Sequence, residues 1–202
     1  NHLVFGDRYA GYYPLCVAEV AKKYVDVVST NGSFADPSDG FMPRYYLDTL
    51  HRVTGRPIIL SEYYSAAMEN QSGNRNSSTN AFAVVKTQEQ RAALAEGTLT
   101  YLASLPYVVG AHWFQYVDQP PAGRLDGEDF NFGLIDIYNK PYDLLTKAIT
   151  ETHERIPEKI GEVARDQRQD ESHRHLGLLQ CDGRKSHYER HQHTDQCPGQ
   201  KA

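Results

Sequence analysis

The sequence has few of the features that mark disulfide-rich or membrane-inserted proteins. Its 202 residues include three cysteines, Cys16, Cys181 and Cys197, which are too few and too scattered for a disulfide framework, so the redox compartment stays open. The longest apolar runs, such as PIIL and YVVGA, are far shorter than the ~18 residues that a bilayer span needs. The sequence also opens without a charged and then apolar leader. We therefore expect no membrane partner.

An excess of positive charge is also lacking. Lys and Arg number 21 against 26 Asp and Glu, and the net charge is -5. Proteins that bind nucleic acid usually carry a basic patch that neutralises phosphates, so we expect no nucleic-acid partner. The hydrophobic fraction of 40% and the aromatic fraction of 11% instead predict a globular chain with an apolar core.

The composition changes near Lys159. The sequence has 14 Tyr, 7 Phe and 1 Trp, and all of these except Tyr188 lie in residues 1–159. Residues 160–202 hold five of the nine histidines and two of the three cysteines, with too few apolar residues to offset the entropy lost on ordering. We predict a globular domain over 1–159, without a cofactor or metal, and a largely disordered tail over 160–202. Zinc binding by the tail is the alternative.

Apolar runs alternate with helical periodicities along the predicted domain. The apolar runs predict strands over 2–6, 25–30, 56–64 and 107–116. The spacing of apolar residues predicts helices over 14–24, 41–55, 87–105 and 141–156, and the polar composition predicts a long loop over 69–80.

Four nearly continuous apolar strands alternating with helices predict an α/β protein with a parallel sheet. A complete barrel of eight such units takes ~250 residues, so these four units would make roughly half of one. An open doubly wound sheet fits the periodicity equally well. Because the chain begins with Asn1 rather than Met, directly before the apolar run HLVF, we expect it to be part of a longer protein.

Polar and aromatic residues follow the predicted strands at the carboxyl ends, where parallel α/β proteins bind ligands. Glu62 comes directly after PIILS, and a carboxylate in such a buried strand is costly unless it is paired or used. A Glu that is simply neutralised by an Arg is the structural alternative. Trp113 in HWFQY has a flat face suited to stacking on a sugar ring. A tryptophan buried in the core is an equally good interpretation.

Four segments resemble clan A retaining glycoside hydrolases, in particular β-agarase-like enzymes and their β-galactosidase-related neighbours. PIILSEYY, GAHWFQYVDQP and GRLDGEDFNFGLIDIYNKPYDLL resemble the last two strands of that family and the loops after them. NHLVFGDRYAG resembles the segment of the fifth strand. The resemblance covers residues 1 to about 155. It implies a (β/α)8 TIM barrel, of which this chain holds roughly the last four βα units.

The resemblance also implies roles for individual residues. Glu62 falls where the family carries its nucleophile on the seventh strand, and Trp113 falls where a tryptophan of the eighth strand lines the cleavage subsite. The acid/base Glu of the family lies upstream of the segment that begins here. Where related enzymes often carry a Tyr that could bind the nucleophile, this sequence has STNGS, which leaves Asn31 as a weak replacement candidate.

Other residues have weaker arguments. Arg8 could orient Glu62, bind a sugar hydroxyl or form an ordinary salt bridge. Asp7, Asp118 and Glu128 are carboxylates that could reach the same carboxyl ends of the strands. The loop that carries Arg124, Asp126 and Glu128 could have either a structural or a substrate-binding role. The predicted substrate-binding residues are Trp113, His112, Arg8, Asn31, Tyr63, Gln115 and Asp118.

Two functions are compatible with these residues. The favoured one is a retaining glycosidase that hydrolyses β-linkages of a poly- or oligosaccharide, with Glu62 as nucleophile. The alternative is a non-catalytic half-barrel that binds carbohydrate, or an inactive fragment of the enzyme. The unpaired sheet edges of a half-barrel favour self-association.

Overall fold

The computed structural model describes residues 2–32, 44–77 and 82–157. The predicted tail, with its candidate zinc ligands, lies outside these residues. The elements, in chain order, are β1 (Arg8–Tyr9), α1 (Leu15–Tyr24), β2 (Val28–Asn31), α2 (Arg44–Thr54), β3 (Ile58–Tyr63), β4 (Ala66–Ala67), β5 (Val84–Val85), α3 (Gln88–Ala103), β6 (Val108–Trp113) and a helix α4 over 143–157.

The strands β1, β2, β3 and β6 form one parallel sheet in that spatial order. The helices α1, α2 and α3 connect successive strands of this sheet, so the predicted α/β architecture of four strands alternating with helices is confirmed. The small strands β4 and β5 pair in a separate parallel ladder within the long connection between β3 and α3. The pattern of apolar residues did not predict this ladder.

The main apolar core joins one face of the sheet to the three connecting helices. Seven of its side chains are at most 2% exposed, among them Val28, Ile58 and Leu60 from the strands and Leu47 and Leu50 from α2. Successive side chains of a strand point to opposite faces. The alternate residues of β2 and β3 therefore lie on the face that the helices do not cover.

Helix α3 begins at a capping box. The Thr87 hydroxyl accepts a hydrogen bond from the Gln90 backbone N–H, and the Gln90 side chain accepts one from the Thr87 backbone N–H, both at 3.3 Å. This reciprocal pair satisfies donors that the first helical turn leaves free, which is why the helix begins where the sequence predicted.

The first strand lies later in the chain than predicted. Residues 2–6 are not a strand, although the Val4 carbonyl accepts hydrogen bonds from the N–H groups of Asp26 and Val27 at 2.8 and 3.3 Å. Gly6 has a φ of 65°, a left-handed conformation that turns the chain. Pairing with β2 therefore occurs only at β1, where Arg8 lies opposite Ser29.

Both edges of the sheet carry exposed apolar side chains. Beside β1, the α1 residues Leu15, Val20 and Tyr24 are 56%, 59% and 63% exposed. Beside β6, Val109 is 60% exposed, and a groove of about 270 Å³ lies next to it, lined by α3, β6 and α4. Within the described residues, β1 and β6 each have one neighbouring strand.

A buried arginine fixes the chain before and after the last strand. The Arg91 side chain of α3 donates from Nε to the Ser65 carbonyl and from Nη2 to the Gly133 carbonyl, both at 2.9 Å. Its guanidinium lies 4.9 Å from the centre of the Tyr142 ring. Burial lowers the pKa of Arg91 to about 10, and the negative charge of Asp118 opposes that change.

Within the described part of the chain, no helix combines the length and the apolar character needed to cross a bilayer. In the same residues, no group of three or more His, Cys, Asp or Glu side chains is placed to hold a metal ion.

We predict that Arg91→Met lowers the free energy of unfolding by about 3 kcal/mol. The change keeps much of the apolar stem but leaves two buried carbonyls without their donors and removes a cation near Asp118. Urea unfolding followed by circular dichroism measures the effect. Arg155→Met is the matched control, since it breaks a surface pair with Glu96 (2.7 Å) and should cost less than ~1 kcal/mol. Equal losses for both variants would contradict the role assigned to Arg91.

Candidate functional site

The carboxylate of Glu62 lies at the carboxyl end of β3, where three strands meet. A bulge after Thr30 sets Asn31 opposite Glu62 in the sheet. Arg8 Nη1 donates to Glu62 Oε2 at 2.6 Å, and Asn31 Nδ2 donates to Glu62 Oε1 at 3.1 Å. Each carboxylate oxygen therefore has a donor, one from β1 and one from β2. The structure thus brings together three of the residues that the sequence predicted for the site.

The surroundings of Glu62 act on its charge in opposite directions. Burial is the largest influence and raises the pKa of Glu62 above its ordinary value. The positive charge of Arg8 lowers that pKa, Glu128 raises it and Arg124 lowers it. The Glu62 side chain keeps 16% of its surface exposed. It is therefore a partly buried carboxyl group whose ionised form depends on its pairing with Arg8.

Glu62 lines a cavity of about 220 Å³. Charged and aromatic side chains line it in equal number. The charged ones are Arg8, Glu62, Arg124 and Glu128, and the aromatic ones are Tyr64, Phe82, Phe114 and Phe132. We call the second group the aromatic wall. A cavity with both apolar ring faces and hydrogen-bonding side chains suits a sugar, which has apolar C–H faces and polar hydroxyl edges.

The aromatic wall is one packed unit. The ring of Tyr64 lies 4.5 Å from Phe132 and 5.1 Å from Phe82, measured between ring centres. Phe114 packs at 6.1 Å from both Tyr64 and Phe132. Phe130, which is fully buried, stacks on Phe132 at 4.7 Å. The aromatic wall therefore packs against the buried ring of Phe130.

Two of the charged side chains in this cavity, Arg124 and Glu128, come from the loop after β6. The loop turns back on itself through backbone hydrogen bonds from Arg124 N to the Glu128 carbonyl (2.7 Å) and from Gly127 N to the Arg124 carbonyl (2.9 Å). Gly127 and Gly123 have φ values of 89° and 87°, a conformation that glycine adopts without strain. The turn thereby brings Arg124 and Glu128 to the same cavity as Glu62.

Trp113 and Tyr63 are not among the side chains that line this cavity. Tyr63 is 3% exposed, and its ring meets the Trp113 ring edge to face with centres 5.2 Å apart. The Trp113 indole N–H donates to the Phe132 carbonyl at 2.8 Å. Arg91 lies 5.6 Å from the centre of the Trp113 ring. Tyr63 is therefore buried against Trp113, and the half-buried Trp113 packs on the side of α3.

The other predicted binding residues also lie away from the cavity lining. His112 is exposed on β6, and Gln115 donates from its side chain to the Val117 carbonyl at 2.6 Å. Asp118 is 4% exposed and accepts hydrogen bonds from the hydroxyls of Ser72 and Tyr142, both at 2.6 Å. Its position is that of an internal anchor for the chain after β6.

Sequence reasoning missed the aromatic wall. Phe114 directly follows Trp113, so the two side chains point to opposite sides, and the sequence pattern does not reveal which side faces the mouth. Phe82 and Phe132 come from loops far apart in the chain. Of the three additional carboxylates considered, the structure places Glu128 in the cavity lining.

Comparison with known proteins shows a likeness to β-agarases. No protein-family model matches the chain. Over 151 residues the chain is 34% identical to β-agarase B of Vibrio sp. (strain JT0107), a match that covers 73% of the chain and 15% of that relative. Over 159 residues it is 31% identical to β-agarase A of the same strain, covering 75% and 15%. The chain therefore spans 15% of the length of each of these two relatives.

A solved structure gives the same likeness. The structure of an exo-β-agarase superimposes with a TM-score of 0.67 and 29% sequence identity, over 79% of this chain and 20% of that one.

We predict that Glu62→Gln stabilises the fold increasingly as the pH rises from 4 to 7. Because the pKa of Glu62 is raised in the folded state, the folded protein binds the proton more tightly than the unfolded chain does. The wild type therefore loses stability as the pH rises through the window just above the ordinary value of 4.5. Glutamine has no such ionisation.

Urea unfolding at pH 4 and pH 7 tests this difference. The variant Ser29→Ala serves as the control. It removes no ionisable group, so its offset from the wild type should stay nearly constant. An offset of Glu62→Gln that shrinks as the pH rises would contradict the raised pKa.

Proposed function

We propose that this β-agarase-like chain belongs to a glycoside hydrolase that cleaves β-linkages of an agar-type polysaccharide, and that Glu62 is its nucleophile. The similarity to β-agarases supports hydrolysis of a polysaccharide. The observation that carries the choice of residue is the cavity itself. Its wall includes a carboxylate held at both oxygens and four aromatic rings.

The architecture supports a place for this segment in a larger fold. Four parallel strands in sequential order, with their connecting helices packed against one face, are what one half of a (β/α)8 barrel would contain. The uncovered face would then be the barrel interior. Glu62 lies at the carboxyl end of its strand, which is where such barrels place catalytic residues. We therefore propose that residues 1–159 form roughly the last four βα units.

The proposed reaction is a retaining double displacement. The Glu62 carboxylate attacks the anomeric carbon, the bond from that carbon to the leaving oxygen breaks, and a second carboxyl group protonates the leaving oxygen. The product of this step is a glycosyl ester on Glu62. Water, deprotonated by the second carboxylate, then attacks the anomeric carbon and releases Glu62.

The neighbours of Glu62 would serve this attack. Arg8 stabilises the ionised carboxylate against the effect of burial, because its charge lowers the pKa of Glu62. Asn31 holds the second oxygen through its amide. Since two strands supply the two donors, the carboxylate is oriented before substrate arrives, and preorganisation of this kind lowers the barrier.

The aromatic wall would bind the sugar ring. Phe114 and Tyr64 lie in the cavity beside Glu62 and offer ring faces to the C–H surface of a sugar. Trp113, for which the family resemblance implied this contact, would instead support the wall through its hydrogen bond to the Phe132 carbonyl.

A second candidate function is carbohydrate binding without turnover by a self-associating half-barrel. The exposed apolar side chains at both sheet edges favour it. Unpaired parallel edges flanked by apolar surface readily pair with another chain. In that case sugar binding would survive the Glu62→Ala change, and no glycosyl ester would form.

We predict that a 2-deoxy-2-fluoro-β-galactoside with a dinitrophenyl leaving group labels Glu62 covalently. The fluorine slows hydrolysis of the ester, and the activated leaving group removes the need for a proton donor. Intact mass and peptide mapping locate the adduct. Glu62→Gln should abolish labelling, whereas the surface variant Glu96→Gln should label like the wild type.

Absence of an adduct in a chain that unfolds cooperatively would count against the nucleophile and favour the binding function. An adduct on a different carboxylate would transfer the role to that residue.

We also predict that Asn31→Ala slows this labelling about tenfold. A hydrogen bond to a charged group contributes ~1.5 kcal/mol or more, and about 1.36 kcal/mol corresponds to a factor of ten in rate. Ser29→Ala is the matched control. Ser29 lies on the same strand as Asn31, and its hydroxyl donates to the Ser61 hydroxyl of β3 at 2.8 Å rather than to Glu62. Unchanged labelling by Asn31→Ala would show that Arg8 alone suffices to orient the carboxylate.

A further inference from the structure

We propose that Glu128 and Arg124 form a hydroxyl-binding pair in the Glu62 cavity, and that this pair makes the site selective for an uncharged sugar ring. The inference rests on the proposed function and adds to it two residues that bind the substrate in the same cavity as the nucleophile. Both side chains line the cavity together with Glu62.

Glu128 is held in place by a buried amide. Gln119 is 1% exposed, and its Nε2 donates to Glu128 Oε2 at 2.6 Å. The other end of the Gln119 amide accepts from the Phe130 backbone N–H at 2.7 Å. Both ends of this amide are bonded, so the rotation of the Gln119 side chain is restricted. Gln119 therefore fixes Glu128 relative to the aromatic core that contains Phe130.

The hydrogen bonds of Glu128 are unequally shared between its two oxygens. Gln119 and Arg124 both donate to Oε2, the latter at 3.4 Å. In the described residues, Oε1 has no hydrogen-bond partner. A carboxylate oxygen with spare acceptor capacity at a cavity wall is suited to the O–H group of a ligand, because hydrogen bonds to an ionised acceptor are strong.

Arg124 complements this acceptor. Its guanidinium donates to Asp126 Oδ2 at 2.6 Å and to Glu128 Oε2 at 3.4 Å. A guanidinium has five N–H donors, so further donors remain for the oxygens of neighbouring hydroxyls. An acceptor next to a donor matches a pair of adjacent hydroxyls on a sugar ring.

The charge balance of the cavity favours a neutral ligand. Arg8 is paired with Glu62, and Arg124 is paired with Asp126 and Glu128. A sulfate or carboxylate on the sugar would have to compete with these carboxylates for the two guanidinium groups. The charge of Glu128 also reaches Glu62, whose pKa it raises. An added negative charge would therefore be unfavourable at this wall.

Binding measurements on the full chain test the pair. Isothermal titration with a neutral tetrasaccharide from agarose is carried out on the Glu62→Gln chain, which cannot form the glycosyl ester. Adding Glu128→Gln should weaken the affinity about tenfold, because an O–H bond to a carboxylate is replaced by a weaker bond to an amide. Adding Glu96→Gln is the matched control and should change the affinity less than twofold, since Glu96 pairs with Arg155 on the surface and does not line the cavity.

A second ligand separates direct contact from a loss of loop structure. In the wild-type chain, where Glu62 keeps Arg8 paired, a sulfated galactan tetrasaccharide should bind at least tenfold more weakly than the neutral one. Glu128→Gln should reduce this difference in affinity, because it removes one negative charge from the cavity. If Glu128 only stabilised the loop, the change would weaken the binding of both ligands equally.

Equal affinity of the Glu128→Gln and parent chains for the neutral ligand would overturn the pair while leaving the proposed function intact. The same conclusion follows if Glu128→Gln weakens both ligands equally. Failure of the Glu62→Gln parent to bind the neutral tetrasaccharide would overturn both proposals.

Discussion

The site depends on how the Glu62 carboxylate is accommodated at the end of an apolar strand. Ionising a carboxyl group there is unfavourable without compensation, and burial accordingly raises its pKa. The compensation comes from Arg8 on β1 and Asn31 on β2, each bonded to a different oxygen. The parallel order of the three strands is what brings these groups together, so the topology of the sheet and the chemistry of the site are aspects of one arrangement.

The two faces of the sheet differ in chemical character. One face packs Val28, Ile58 and Leu60 against the helices and supplies the apolar burial that stabilises the fold. The other face carries polar groups such as the bonded hydroxyls of Ser29 and Ser61. This division lets the core hold the strand ends rigidly while the opposite face remains available for a ligand.

The far wall of the cavity depends on buried polar contacts rather than on strands. Asp118 and Arg91 tie the chain after β6 to the rest of the fold through hydroxyl and carbonyl groups. Gln119 then positions Glu128, and the tight turn at Gly123 and Gly127 returns Arg124 to the same side. Loss of the buried contacts of Asp118, Arg91 or Gln119 would therefore displace Arg124 and Glu128 as well as lower the stability of the fold.

The sequence by itself determined the alternation of strands and helices, because apolar periodicity reflects which residues face a core. It also identified Glu62, Arg8 and Asn31, because polar residues at the ends of parallel strands must share one edge of the sheet. It misplaced the first strand, since the left-handed turn at Gly6 is set by contacts with residues near Asp26. Only the tertiary structure decided that Phe114 and Glu128 line the cavity, and that Trp113, Tyr63 and Asp118 make their contacts outside its lining. That choice depends on strand bulges and on hydrogen bonds between distant loops, and neither leaves a local pattern in the chain.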